Sequence, residues 1–219
     1  MQKDIISALE WRYAVKKFDA SRKLTDIQID RVLEGLRLTA TSMGMQLMKF
    51  IVITDPELKE KIQPIGYGQS QIVDCSHLII LCRITEPNQQ HIEDIIELTA
   101  EKRKMEKNAK QLIGYGEMMK YALHMPKQEQ INWLENQVYL AMGNLLTVCA
   151  VEEVDCCPME GFNKNQLDAF LGLPEKGLNS VLMCTLGYRA EDDKYGHLSK
   201  IRRNKEDLVE NLSMHDVPV

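Results

Sequence analysis

Apolar and polar positions alternate along this chain with periods that can be assigned segment by segment. Asp4 to Trp11 puts Ile5, Ile6 and Leu9 on one side of a short amphipathic helix. Arg12 to Phe18 follows in a more extended form. Thr25-Asp26-Ile27-Gln28 has the capping-box pattern, in which the Thr hydroxyl and the Gln carboxamide satisfy free backbone amides. Ile29, Val32, Leu33 and Leu36 then repeat at helical spacing, and Leu38 to Met45 loses the period and reads as a loop. Lys49 to Thr54 predicts a strand, since Phe50 to Ile53 favour the pleated form. Asp55-Pro56 opens a helix that runs to about Ile62, and Pro64 with Gly66-Tyr67-Gly68 breaks it. Ser76 to Ile84 predicts a second, buried strand.

From Pro87 to about Lys120 the pattern is long, helical and polar, with Gly114-Tyr115-Gly116 reading as a break. Such a segment covers a site, packs on a partner, or stands as a solvated helical pair. Gln130 to Val151 is the strongest helix, apolar nearly all round, which places it in a core or an interface. Asn163 to Leu171 predicts another capped helix, and Ser180 to Tyr188 a third strand. The strands do not alternate regularly with the helices, so the fold class is α+β. No linker, repeat or low-complexity tract divides residues 1–219, which read as a single domain.

Composition changes the picture in three respects. The net charge of −5 argues against a general nucleic-acid binder, whose footprint would be basic. Met1 to Glu10 lacks a signal-peptide apolar run, and Leu78 to Cys82 is too short to span a bilayer. The expectation is a cytoplasmic protein with no membrane partner. The six cysteines form no C-x-x-C pair and read as reduced core thiols, with no metal site.

The basic residues cluster at the two ends, as Arg12-Tyr13-Ala14-Val15-Lys16-Lys17-Phe18 and Lys200-Ile201-Arg202-Arg203. Chain ends often lie close together, and Arg and Lys suit a phosphate. Lys200 and Arg202 fall on one side of an extended segment, as do Gln69 and Gln71. Taken singly, each basic cluster reads more readily as a solvated face than as a site.

Together with Thr41-Ser42-Met43-Gly44-Met45-Gln46 and Pro158-Met159-Glu160-Gly161-Phe162, in this order and spacing, the clusters resemble the nitroreductase family of FMN-dependent oxidoreductases. The resemblance runs from about Asp4 to about Arg202. It implies a central, mostly antiparallel sheet flanked by helices, in an intertwined homodimer with flavin at the interface. It implies FMN as cofactor, NADH or NADPH as electron donor, and a small electron-poor acceptor such as a nitroaromatic or quinone. A different flavin chemistry on the same fold, or a non-catalytic flavin-binding protein, are its alternatives.

By that resemblance, Arg12, Lys200 and Arg202 hold the FMN phosphate, and Tyr13 and Ala14 lie beside it. Lys16 stabilises the reduced ring at N1 and O2. Gln69 and Gln71 read the pyrimidine edge, with Gln71 where many relatives have a second lysine. Thr41, Ser42, Gly44 and Gln46 reach the flavin of the partner subunit; Gly44 stands where asparagine is frequent, and Leu47-Met48 where Pro-Trp is frequent. Pro158, Met159, Glu160 and Gly161 lie against one ring face, with the Glu160 backbone N–H on flavin N5. No side chain is implied as an acid or base. The helical excursion at about 87–125 roofs the site and sets substrate choice. Cys156 and Cys157, just before the flavin-facing turn, are expected to leave redox behaviour unchanged.

Overall fold

The computed structural model describes residues 4–213, so Met1 to Lys3 of the stretch read for a leader lie outside the described residues. The strands are β1 (Met48–Ile53), β2 (His77–Ile84), β3 (Asp155–Met159) and β4 (Leu178–Gly187). The helices are α1 (Ile5–Trp11), α2 (Asp26–Arg37), α3 (Pro56–Ile62), α4 (Gln71–Asp74), α5 (Gln89–Arg103), α6 (Lys110–Met119), α7 (Lys127–Val151) and α8 (Lys164–Leu171). The strands form one antiparallel sheet in the order β1-β2-β4-β3, and the α+β class holds.

Strand β2 sets the layering. Its side chains alternate between two cores, Leu78, Ile80 and Cys82 on one face and Ile79 and Leu81 on the other. On the first face pack Ile62 of α3, Ile72 of α4 and Leu167 of α8. On the second pack Val32 and Leu36 of α2 and Val138, Ala141 and Leu145 of α7. Each such fully buried side chain contributes about 1.5–3 kcal/mol by leaving water. A third apolar cluster joins Met45, Leu47, Ile92, Met119 and Leu134, and so fixes α5 and α6 to α7 and to the loop before β1.

The helix starts follow their caps. Thr25 and Gln28 make both capping-box hydrogen bonds, at 3.3 and 3.1 Å. Asp55 and Asn163 accept the N–H groups of Leu58 and Gln166.

Three expectations need correction. Strand β3 was not anticipated; it contains Pro158 and is fully or partly buried along its length. It lies at a sheet edge, where a residue without an N–H costs no ladder hydrogen bond on the open side. Gly114-Tyr115-Gly116 is no break but lies within α6. Gln69 and Gln71 do not share an extended segment, because Gln71 begins the one-turn helix α4. The apolar side of α1 is not covered within the chain: Ile5 and Ile6 are 46% and 58% exposed. Leu140 of α7 is likewise 56% exposed, so one side of the helix expected in a core or an interface is bare within the chain.

Candidate functional site

The two chain ends meet. The extended stretch after α1 lies along the free edge of β3, with a bridge from Ala14 to Cys156 and the Val15 N–H on the Cys156 carbonyl at 3.2 Å. Two residues beyond β4 hold it there. The Arg189 guanidinium stacks on the rings of Trp11 and Tyr13, 4.3 and 4.6 Å from their centroids, while it pairs with Asp155. Asp193 is the second holder, and only 3% of it is exposed. One of its oxygens accepts the Lys16 N–H (2.9 Å), the Lys17 N–H (3.2 Å) and the Tyr13 hydroxyl (3.0 Å), and the other accepts the Tyr195 N–H (3.1 Å). Burial pushes the Asp193 carboxyl up, but these donors outweigh it and hold the group below its ordinary range. Burial raises the Tyr13 phenol, and its bond to Asp193 raises it further.

Between the joined ends lies a cleft of about 460 Å³, lined by Arg12, Tyr13, Ala14, Lys16, Lys200 and Arg202 among others; Glu10 is the single acidic residue in the lining. The predicted convergence of Arg12, Lys200 and Arg202 is therefore present. Lys200 Nζ donates to the Arg12 carbonyl. Its pKa is lowered, first by burial and then by the charges of Arg12 and Arg202. The Arg12 Nε is buried with no hydrogen-bond acceptor. Mutually repelling cations and an unanswered guanidinium N–H fit a doubly charged, multi-acceptor anion such as a phosphate monoester.

Beside the cleft, Lys16 Nζ reaches the Cys157 thiol on β3, with Sγ at 3.6 Å. The Gln71 side chain lies near the same thiol and acts to lower its pKa. Gln69 is engaged within the chain. Its Nε2 donates to the carbonyls of Gly66 (2.9 Å) and Gly161 (2.8 Å), so its amide braces the Pro158-Met159-Glu160-Gly161 turn. The turn is closed by the Phe162 N–H on the Glu160 carbonyl at 2.9 Å. Glu160 is exposed, and the Tyr139 phenol of α7 is raised by burial and then by the nearby Glu160 carboxylate.

The Thr41–Gln46 loop does not line this cleft. Thr41 and Gln46 line a separate hollow of about 190 Å³ with Leu36, Arg37, Thr39, Met48 and Phe50. Met43, Gly44 and Gln46 all have positive φ, at 51°, 56° and 50°. The strain is held from three sides. Gln137 of α7 accepts the Ser42 N–H (2.8 Å), Thr41 Oγ1 accepts the Gln46 N–H (3.2 Å), and the Tyr115 hydroxyl of α6 donates to the Met43 carbonyl (2.7 Å). A Cβ at Gly44, where φ is +56°, would lie 3.1 Å from the Tyr115 hydroxyl, which would have to give by a few tenths of an ångström.

Sequence reasoning missed Asp193, Arg189 and Tyr115. Asp193 and Arg189 act on residues some 175 positions away, and no local spacing announces that. Asp193 does cap a short 3₁₀ turn at Lys194–His197, and an Asp-x-Tyr spacing is the only local trace of it.

The chain matches the family model described as Nitroreductase family over residues 9–188. A Bacillus subtilis protein, YfkO, is 31% identical over 221 residues, which cover 95% of this chain and 97% of that one. The oxygen-insensitive NAD(P)H nitroreductase of Salmonella typhimurium is 30% identical over 206 residues, covering 91% and 95%. A protein of Exiguobacterium sibiricum, solved in complex with FMN, superposes with a TM-score of 0.80 at 18% identity, over 96% of this chain and 98% of that one.

Proposed function

We propose that this chain, which belongs to the nitroreductase family, is an FMN-dependent oxidoreductase that takes electrons from NADH or NADPH and delivers them to electron-poor acceptors such as nitroaromatics or quinones. The observation that carries the reading is the cation cleft at the joined chain ends, with its buried, unanswered Arg12 Nε. When bound, FMN supplies the redox chemistry by accepting hydride from the nicotinamide and giving it up to the acceptor.

The chain's own residues bind, orient and tune. Arg12, Lys200 and Arg202 hold the phosphate, with Tyr13 and Ala14 in the same wall. Lys16 sets its charge toward N1 and O2, which favours the reduced form. Its backbone is fixed by Asp193, so the ammonium is aimed before the flavin arrives. Gln71 has no charge to add and lies within reach of the same thiol as Lys16. The turn at Pro158, Met159, Glu160 and Gly161 offers the Glu160 main-chain N–H to N5, and Gln69 keeps that turn in place.

The assembly is a homodimer. Two observations support it. Thr41 and Gln46 line a hollow apart from the cation cleft of their own chain, so their loop, with Ser42 and Gly44, serves the flavin of a second copy. Large apolar side chains are bare on α1 (Ile6), on α7 (Tyr139, Leu140) and along the C-terminal arm (Ile201, Leu208, Leu212). Helices α5 and α6 belong to the same single domain and roof the site. Among the described residues no helix is long and apolar enough to cross a membrane; we place the enzyme in the cytoplasm.

The test is steady-state oxidation of NADH and of NADPH by the FMN-loaded protein, with a nitroaromatic and with a quinone as acceptor. Turnover with either acceptor supports the reading. Retained flavin without turnover in all four pairings contradicts it.

A further inference from the structure

Cys157 is a buried thiol with more polar partners than a core cysteine needs. It lies on β3 opposite Thr185, and 1% of it is exposed. Lys16 Nζ donates to its Sγ at 3.6 Å, and its own S–H faces the Pro158 carbonyl at 3.6 Å. We propose that Cys157 is a positioning residue that holds the Lys16 ammonium beside the flavin and thereby sets the flavin's redox potential. The proposal rests on the FMN reading above and adds to it a residue that touches neither substrate nor cofactor.

The argument is one of charge and reach. Lys16 is exposed, and its four-carbon stem otherwise samples many rotamers. Asp193 fixes its backbone, and Cys157 fixes its tip. A carboxylate in the place of Cys157 would fix the tip equally well but cancel the positive charge that favours reduced flavin. A neutral thiol accepts the N–H weakly and leaves that charge in force. Burial pushes the thiol up, and the neighbouring Lys16 charge only partly offsets it, which keeps the group protonated. Its rotor has one χ angle, and β3 pairing with β4 fixes its Cα. The thiol thus ties the Lys16 ammonium to one point of the sheet. This assigns Cys157 a role that the expectation of inert core thiols does not contain; Cys156, which faces the other core, keeps that expectation.

The experiment is a double-mutant cycle on the midpoint potential of bound FMN, with the affinity for oxidised FMN measured alongside. Cys157→Ala is expected to lower the preference for reduced over oxidised flavin by roughly three- to tenfold, where tenfold is about 30 mV for a two-electron couple. Cys157→Ser, which keeps a donor and acceptor, is expected to stay within about threefold of the parent. In a Lys16→Met background the Cys157→Ala change is expected to move the potential no further. Cys157→Val replaces Cys157→Ala if the smaller side chain fails to fold. A potential unchanged in Cys157→Ala, or the same shift with and without Lys16, overturns the proposal while FMN binding still stands. A parent protein that binds no FMN overturns the proposal and the flavin reading together.

Discussion

Replacing Asp193 by Asn tests how the stretch after α1 is held. The carboxylate is 3% exposed and accepts four donors at 2.9–3.2 Å. Asparagine keeps the shape but has one acceptor oxygen and an NH₂ group. Its less costly orientation leaves the oxygen on Lys16, Lys17 and Tyr13 and turns NH₂ toward the Tyr195 N–H. Three charge-assisted bonds then weaken by about 1 kcal/mol each, and one N–H loses its acceptor at about 1 kcal/mol. The terms are not additive, so about 3 kcal/mol is expected, with 4 as the ceiling. Urea unfolding of the apoprotein at pH 7 measures this, and quenching of flavin fluorescence measures FMN affinity, expected to fall at least about tenfold. The pH dependence has a definite sign. The folded pKa of Asp193 is lowered, so its contribution is present above the unfolded value near 3.9 and is lost as pH falls through the folded value. The deficit of Asp193→Asn should therefore shrink in acid. A loss under about 0.5 kcal/mol at pH 7, with FMN affinity unchanged, would refute the reasoning.

Arg202 lines the cation cleft and Arg203 does not. Arg202→Ala should weaken FMN binding by roughly tenfold and Arg203→Ala by less than about twofold, and equal effects would remove the phosphate assignment. Tyr115→Phe removes the hydrogen bond to the Met43 carbonyl, worth about 1 kcal/mol. Dialysis should show FMN retention about fivefold weaker, and unchanged retention would mean the loop holds its positive-φ form without help. Gly35→Ala would bring a Cβ within 2.7 Å of Val148 Cγ2, where α2 crosses α7. Overpacking should cost about 1–3 kcal/mol in urea unfolding, and Val148→Ala should restore most of it if the clash is the cause.

The parts legible in the sequence are those whose cause is local. The Thr25–Gln28 capping box, the Asp55-Pro56 start and the buried strand through Leu78 to Cys82 each act over a few residues, and each was read correctly. Strand β3 was missed because its five residues show no alternation and include a proline that only an edge position tolerates. Helix α4 is one turn long, too short to show a period, and that misplaced Gln71. Gly114 and Gly116 read as a break because glycine weakens a helix, but Gly116 faces Ile92 and Ile96 of α5, and the packing of α6 outweighs propensity. At the site, the two basic ends were legible because charge clusters are visible in one dimension. Asp193, Arg189 and Tyr115 were not, since each is a single residue defined by a partner far along the chain.

The central claim is that the cleft holds a flavin which a reduced nicotinamide can reduce. The most direct measurement is the visible spectrum of the purified, FMN-supplemented protein under anaerobic conditions, before and after NADH or NADPH is added. The account predicts a bound flavin whose absorbance bleaches with at least one of the two. A protein that takes up no FMN, or one whose bound flavin bleaches with neither nucleotide, would contradict it.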